Sequence, residues 1–230
     1  MTSTSLVEFN GQVVVISGAA TGIGKASAHL IASRGAKVIA LDFNAAALSD
    51  LAKELNLNAN QIHTCDISDQ SQIDKAISSI LKDHGQIDAL INTAGIVGPS
   101  NTILEDVKWT DFEKVLQVNL YGAIWLTQAV IPAMKDKKYG RIVHLASIAG
   151  KEGNPGLSPY NTSKAGMIGF VKGVAKEVAP HGIVINSLAP AVISTPMNSN
   201  NDVLVIFFLT LTGGRYESLG HRQHLLVACP

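Results

Sequence analysis

The chain has 230 residues, with 18 Lys plus Arg against 18 Asp plus Glu, so no charge excess points to nucleic acid or to a membrane surface. That length suits one α/β domain spanning 1–230, with a substantial core. Its two cysteines, Cys65 and Cys229, lie far apart without metal-ligand spacing, which predicts no metal site and a reduced, cytoplasmic setting.

Taken in chain order, residues 1–10 are a lead-in without the basic and apolar regions of a signal peptide. QVVVISG (12–18) is a β-branched run ending in glycine and reads as a buried strand. From Gly22 to Arg34, Ile23, Ala26, Leu30 and Ile31 share one helical face, and Gly35 follows as a stop. KVIALDF (37–43) is a second strand, AALSDLAKEL a helix and QIHTCDI (61–67) a third strand. Ile73, Ala76, Ile77, Ile80 and Leu81 form the apolar stripe of the next helix, and DALIN (88–92) is a fourth strand. Thr110 and Glu113 match a Thr-x-x-Glu capping box, which predicts a long helix starting near Thr110. RIVHLAS (141–147) and IVINSLA (183–189) supply two more strands, with a helix around Tyr160 between them. The late apolar run VLVIFFL (203–209) is too short to span a bilayer. Strands alternating with helices predict an α/β fold, a doubly wound parallel sheet with helices on both faces. Ligands of such sheets sit beyond the carboxyl ends of the strands.

Four places carry chemistry. Gly18-Ala19-Ala20-Thr21-Gly22-Ile23-Gly24 joins the first strand to the first helix. Glycines there permit a tight turn and close approach of a pyrophosphate to free backbone N–H groups. Asp42, at the end of the second strand, is spaced to accept both ribose hydroxyls of an adenosine. Its carboxylate would repel a 2′-phosphate, and neither Thr21 nor Phe43 offsets that with a cation, so NAD is expected over NADP. Asp66, ending the third strand, either touches the adenine or caps the helix that follows. Finally, SPYNTSKAG (158–166) sets Tyr160 one helical turn before Lys164. A cation beside a phenol lowers its pKa from about 10 and makes a general base. By itself the pair is no more than a common surface arrangement.

In this order on these elements, residues about 10 to 197 resemble the short-chain dehydrogenase/reductase family, in its single-domain Rossmann form. SGAATGIG matches its Gly-x-x-x-Gly-x-Gly turn, Asn92-Thr93-Ala94-Gly95 its Asn-Asn-Ala-Gly motif except at Thr93, and Asn119-Leu-Tyr-Gly its helical asparagine motif. Ser147 stands thirteen residues before Tyr160, Lys164 completes Tyr-x-x-x-Lys, and Pro190 with Thr195-Pro-Met197 resembles its Pro-Gly-x-x-x-Thr-x-Met segment. The resemblance implies a catalytic set of Asn119, Ser147, Tyr160 and Lys164. Tyr160 would exchange a proton with the substrate, Ser147 would hold the reacting oxygen, Lys164 would lower the phenol's pKa and bind the nicotinamide ribose, and Asn119 would hold a water. It also implies cofactor contacts from Gly18, Thr21, Gly22, Ile23, Gly24, Asp42, Asp66, Ile67, Asn92, Ala94, Gly95, Tyr160, Lys164, Pro190 and Thr195. Homodimers or homotetramers packed through the Asn119 and Tyr160 helices are expected. The stretch AGKEGNPG (149–156) is similar to members acting on sugar acids, and others like it are 3-oxoacyl-carrier-protein reductases. Lys151 there is either a partner for a substrate carboxylate or an exposed loop lysine.

The chain departs from the family pattern at three places. Thr93 keeps a hydroxyl that can bond locally. Ala191 replaces a glycine and would be strained if that position needs φ > 0. From Asn198 onward the family's closing helices and last strand are not found, and His221, His224 and Cys229 are scattered without ligand spacing. The tail 198–230 predicts a missing or altered last strand and substrate lid, as a truncated, spliced or frame-shifted end would leave. Two readings result. One is an NAD-dependent oxidoreductase acting on a secondary alcohol or ketone, such as a sugar acid or other polar hydroxy compound. The other is a nucleotide-binding but catalytically weak or inactive member serving as an assembly subunit or sensor.

Overall fold

The computed structural model describes residues 9–191. Strand β1 (Val13–Ser17) is wholly buried and pairs with β2 (Lys37–Asp42) on one side and β4 (Ala89–Asn92) on the other. With β3 (Ile62–Thr64), β5 (Gly140–Leu145) and β6 (Ile183–Leu188) these make a six-stranded parallel sheet ordered β3-β2-β1-β4-β5-β6. The order reverses between β1 and β4, which opens a crevice beyond their carboxyl ends.

Alternation along the central strands sends side chains to two cores. Val14, Ile16, Val38 and Ala40 pack against α1 (Gly22–Ser33) and α2 (Ala45–Leu55). Val13, Val15, Ile39 and Leu41 join the larger core under α3 (Gln70–His84), α5 (Gly122–Lys137) and α7 (Ser158–Val178). The first two helices thus lie on one face and the later long ones on the other. On β6, Ile183 and Ile185 enter the larger core, while Val184 on the opposite face is 46 % exposed. Among the described residues no helix is long and apolar enough to cross a membrane.

Local chemistry sets most of the boundaries. Asn44 caps α2 by accepting from the Ala47 N–H, and Asp69 caps α3 by accepting from the Ser71 N–H. Gly85, at φ 74°, ends α3 in the left-handed conformation that glycine tolerates. Asp66 is therefore not the cap of α3; its carboxylate folds onto Ser68, accepting from the backbone N–H at 2.9 Å and the hydroxyl at 2.7 Å.

Three expected features differ. The third strand pairs only over 62–64, because its neighbour β2 ends at Asp42; beyond it a single bond, Cys65 N–H to the Asp42 carbonyl, continues the ladder. The capping box at Thr110 and Glu113 does not form. Helix α4 (Trp109–Leu116) begins one residue earlier behind Lys108, without a side-chain cap, and both residues line the crevice instead. The single long helix expected from Thr110 is α4 and α5 joined by a π turn at Gln117–Tyr121. A four-residue helix α6 (Ala149–Glu152) also precedes α7. The atypical tail and Thr195-Pro-Met197 lie outside the described residues. Among the described residues the non-glycine positions with positive φ are Asn56, Asn101 and Lys138, and Ala191 is not one of them.

Candidate active site

A cleft of about 730 Å³ opens at the carboxyl ends of the strands, a volume typical of a ligand site. The glycine turn forms one wall. Gly18 sits at φ 71°, and a Cβ there would come within 2.7 Å of the Ala94 nitrogen; at Gly24 it would come within 2.0 Å of the Gly18 carbonyl oxygen. No larger residue fits either place, and the backbone of Thr21, Gly22 and Ile23 therefore faces the cleft directly. No side chain caps α1, which leaves its first N–H groups to a ligand. Thr93 fastens this turn from β4: its hydroxyl donates to the Ser17 carbonyl at 2.8 Å and its N–H to the same oxygen at 3.0 Å. The motif's departure at Thr93 thus keeps a local bond.

Asp42 is 7 % exposed and lines the cleft. Its Oδ2 accepts from the Ala20 N–H at 2.9 Å and its Oδ1 from the Asn44 N–H at 3.0 Å. Each oxygen keeps a further lone pair, so the carboxylate can still take two hydroxyl donors. Asp66 and Ile67 continue the wall. Together the tight turn, the uncapped helix and the oriented carboxylate fit a dinucleotide.

At the other end, the segment following β5 brings Ser147 and α7 brings Tyr160 and Lys164 to one place. Pro159, in the first turn of α7, suits a helix start, and the i, i+4 spacing does what geometry requires. The Lys164 Nζ lies 5.6 Å from the Tyr160 ring centroid. Lys164 is 4 % exposed and donates to the Leu145 carbonyl at 2.6 Å. Burial lowers its pKa to about 8. The Tyr160 phenol departs from expectation: burial raises its pKa, and the Ser147 hydroxyl bonding to it offsets only part of that rise. Burial, rather than the cation four residues on, dominates the phenol in this arrangement.

Ala94, Gly95 and Pro190 also line the cleft. Asn92 and Asn119 do not. Asn92 is 2 % exposed, accepts from the Ser17 hydroxyl at 2.8 Å and meets His144 Nδ1 at 3.2 Å. Asn119, in the π turn and 1 % exposed, accepts from the Ile96 N–H and donates to the Ile96 carbonyl, both at 2.8 Å, and to Ser163 Oγ at 3.0 Å. Its side chain joins the π turn to the loop after β4 and to α7. Unanticipated wall residues are Thr110, Glu113, Lys114 and Gln117 of α4 and its π turn. Their i, i+3, i+4, i+7 spacing was visible in the sequence as a polar helical stripe. Phe43, 74 % exposed, stands at the rim beside Asp42.

The family model for short chain dehydrogenase matches residues 12–203. A 3-oxoacyl-[acyl-carrier-protein] reductase FabG of Thermotoga maritima is 39 % identical over 193 residues, covering 83 % of this chain and 78 % of the relative. The 2-dehydro-3-deoxy-L-rhamnonate dehydrogenase (NAD(+)) of a Sphingomonas strain is 38 % identical over 189 residues, covering 82 % and 75 %. Among solved structures, an NAD+-bound xylitol dehydrogenase superposes with a TM-score of 0.76 at 33 % identity, covering 80 % of this chain and 71 % of its own. A 3-ketoacyl-(acyl-carrier-protein) reductase from Brucella melitensis complexed with NADH gives 0.77 at 30 % identity, covering 82 % and 78 %. With its sheet order, its glycine turn and these relatives, the chain belongs to the short-chain dehydrogenase family and is an oxidoreductase of that family.

Proposed function

We propose that the protein transfers a hydride between NAD and a secondary alcohol or ketone, with a sugar acid or similar polar hydroxy compound as the substrate class. The observation that carries this reading is that Asp42 and the Ser147, Tyr160, Lys164 group line opposite parts of one cleft. Gly18, Thr21, Gly22, Ile23 and Gly24 would hold the pyrophosphate, Asp42 the adenosine ribose, and Lys164 with Ala94, Gly95 and Pro190 the nicotinamide end. Bound NAD supplies the hydride acceptor or donor.

Preference for NAD over NADP rests on charge. Phe43 and Asn44, which follow Asp42, are neutral, and Lys25 of α1 is engaged by Glu54 at 2.7 Å. A 2′-phosphate would therefore meet the Asp42 carboxylate without a neighbouring free cation on these elements. The choice between the two cofactors therefore falls to residue 42.

In the reaction, Ser147 donates a hydrogen bond to the substrate oxygen and holds it beside the Tyr160 phenol. Tyr160 gives its proton to that oxygen during reduction and takes it back during oxidation. Lys164, held by the Leu145 carbonyl, brings a positive charge beside the phenolate that oxidation requires. Assembly into dimers or tetramers through α5 and α7 belongs to the same proposal, supported by Tyr121, 39 % exposed next to Trp125 on α5. The reading that this is an inactive nucleotide-binding subunit rests on the tail, which lies outside the described residues.

Calorimetric titration with NAD and NADP is the direct test. Saturable NAD binding with NADP at least about 10-fold weaker is expected, a difference of roughly 1.4 kcal/mol. Equal affinity for both would remove Asp42 from its role, and binding of neither would remove the reading altogether. A screen of polar secondary alcohols with NAD then identifies the substrate.

A further inference from the structure

His144 of β5 is 0 % exposed and lies on the same side of the sheet as α5 and α7. Its imidazole touches three elements. Nδ1 meets Asn92 Nδ2 of β4 at 3.2 Å, Nε2 meets Thr127 Oγ1 of α5 at 2.9 Å, and the ring stands edge-on to Phe170 of α7 at 6.2 Å. The Thr127 hydroxyl donates to the Ala123 carbonyl at 2.7 Å, an atom that can only accept, so Thr127 takes the His144 Nε2–H. Asn92 Oδ1 is occupied by the Ser17 hydroxyl, so its Nδ2 donates to a bare His144 Nδ1. One chain of hydrogen bonds thus runs Ser17, Asn92, His144, Thr127, Ala123. It ties together the ends of β1, β4 and β5 and the start of α5.

The residue after His144 is Leu145, whose carbonyl receives the Lys164 ammonium at 2.6 Å. Lys164 is also the charged group that acts on the imidazole. We propose that His144 is a positioning residue: held as the neutral Nε2–H tautomer between Asn92 and Thr127, it fixes the end of β5 so that the Leu145 carbonyl seats Lys164 at the cleft. The inference rests on the reading of Lys164 as part of a dinucleotide site. Complete burial beside that cation keeps the ring uncharged, with its pKa lowered to about 3. An uncharged ring adds no repulsion to the ammonium it positions.

The test compares the wild-type chain with His144→Leu, His144→Gln and Thr127→Val. Three quantities are read: the Lys164 titration by carbon NMR of labelled lysine, the Kd for NAD by calorimetry, and the imidazole tautomer by nitrogen NMR. The Lys164 resonance is assigned by its loss in Lys164→Arg. In the wild type the Nε2–H tautomer should persist without titrating down to about pH 5. Freed from a firm Leu145 carbonyl, Lys164 in His144→Leu should reach water and titrate about one pH unit or more higher. NAD affinity should fall at least about 10-fold in the same variant. Thr127→Val, which keeps the ring and removes one bond, should move both readouts in the same direction, and it carries the test alone if His144→Leu does not fold. His144→Gln, with one donor and one acceptor, should recover most of the loss.

An unchanged Lys164 titration and a Kd within about 2-fold in folded variants would make His144 a core filler and overturn the proposal, whatever the change in stability. Should the wild type bind no dinucleotide while Lys164 still responds to these substitutions, the positioning role stands and the cofactor reading falls. Normal NAD binding with an unresponsive Lys164 would mean the reverse.

Discussion

Burial of the Tyr160 phenol favours its uncharged form, and the Ser147 hydroxyl recovers only part of that effect. The phenol therefore keeps its proton through the neutral range, ready to donate to a ketone oxygen. Alcohol oxidation needs the phenolate, so kcat/KM for oxidation should rise with pH above neutrality, while that for reduction should stay level until the phenol itself titrates, above its ordinary value of 10. Steady-state profiles in both directions check this; a pH-independent oxidation rate would exclude Tyr160 as the base. Tyr160→Phe should lower turnover by roughly 10²–10⁴ while leaving the NAD Kd within a few-fold, because the lost hydroxyl acts chiefly on the proton. Retained turnover in that variant would overturn the mechanism. The pairing of Tyr160 with Lys164 was legible in the sequence, since i and i+4 meet on any helix. The sign of the phenol's shift was not, because it depends on how β5 and α7 close over the ring.

The π turn between α4 and α5 holds Asn119 where a regular helix was expected. One extra residue per turn re-aims the side chain, and Asn119 then satisfies both backbone groups of Ile96 in the loop that leads Gly95 into the cleft. Asn119→Ala would leave the part-buried Ile96 N–H and C=O without these partners, at about 1–3 kcal/mol for each group that water cannot reach. An unfolding free energy from denaturant titration lowered by about that amount, with turnover reduced, is the expected result. An unchanged unfolding free energy would show that the loop finds other partners. Strand identities were legible from β-branched apolar runs, helix identities from the period-3.6 pattern, and the glycine turn from its place between β1 and α1. Besides the π turn, two further element-level features escaped because local residues do not decide them. The start of α4 follows the cleft that Thr110 and Glu113 face rather than their capping pattern, and β3 stops where β2 no longer offers it a partner.

Across the whole sheet, the two apolar cores are joined at the carboxyl ends by polar groups that must stay in one protonation state. His144 sits among them, and no feature of RIVHLAS distinguishes it from any histidine in a buried strand; only the packing of Asn92, Thr127 and Phe170 around it does. Its folded pKa of about 3 is below the ordinary value of 6.5. Between these values the unfolded chain binds a proton that the folded chain refuses, so the stabilisation is complete above pH 6.5 and is lost as pH falls towards 3. In that window the loss approaches about 1.4 kcal/mol per pH unit. Lys164 has the same sign at higher pH: lowered to about 8 from 10.5, it makes stability rise across that interval. Other groups titrate in acid as well, so the informative quantity is the difference between the wild type and His144→Gln. Unfolding free energies measured from pH 7 down to about pH 5 should converge as pH falls, because the variant has no imidazole to protonate on unfolding. Parallel curves would mean that residue 144 titrates alike in both states, and that its burial and hydrogen bonds do not hold it neutral.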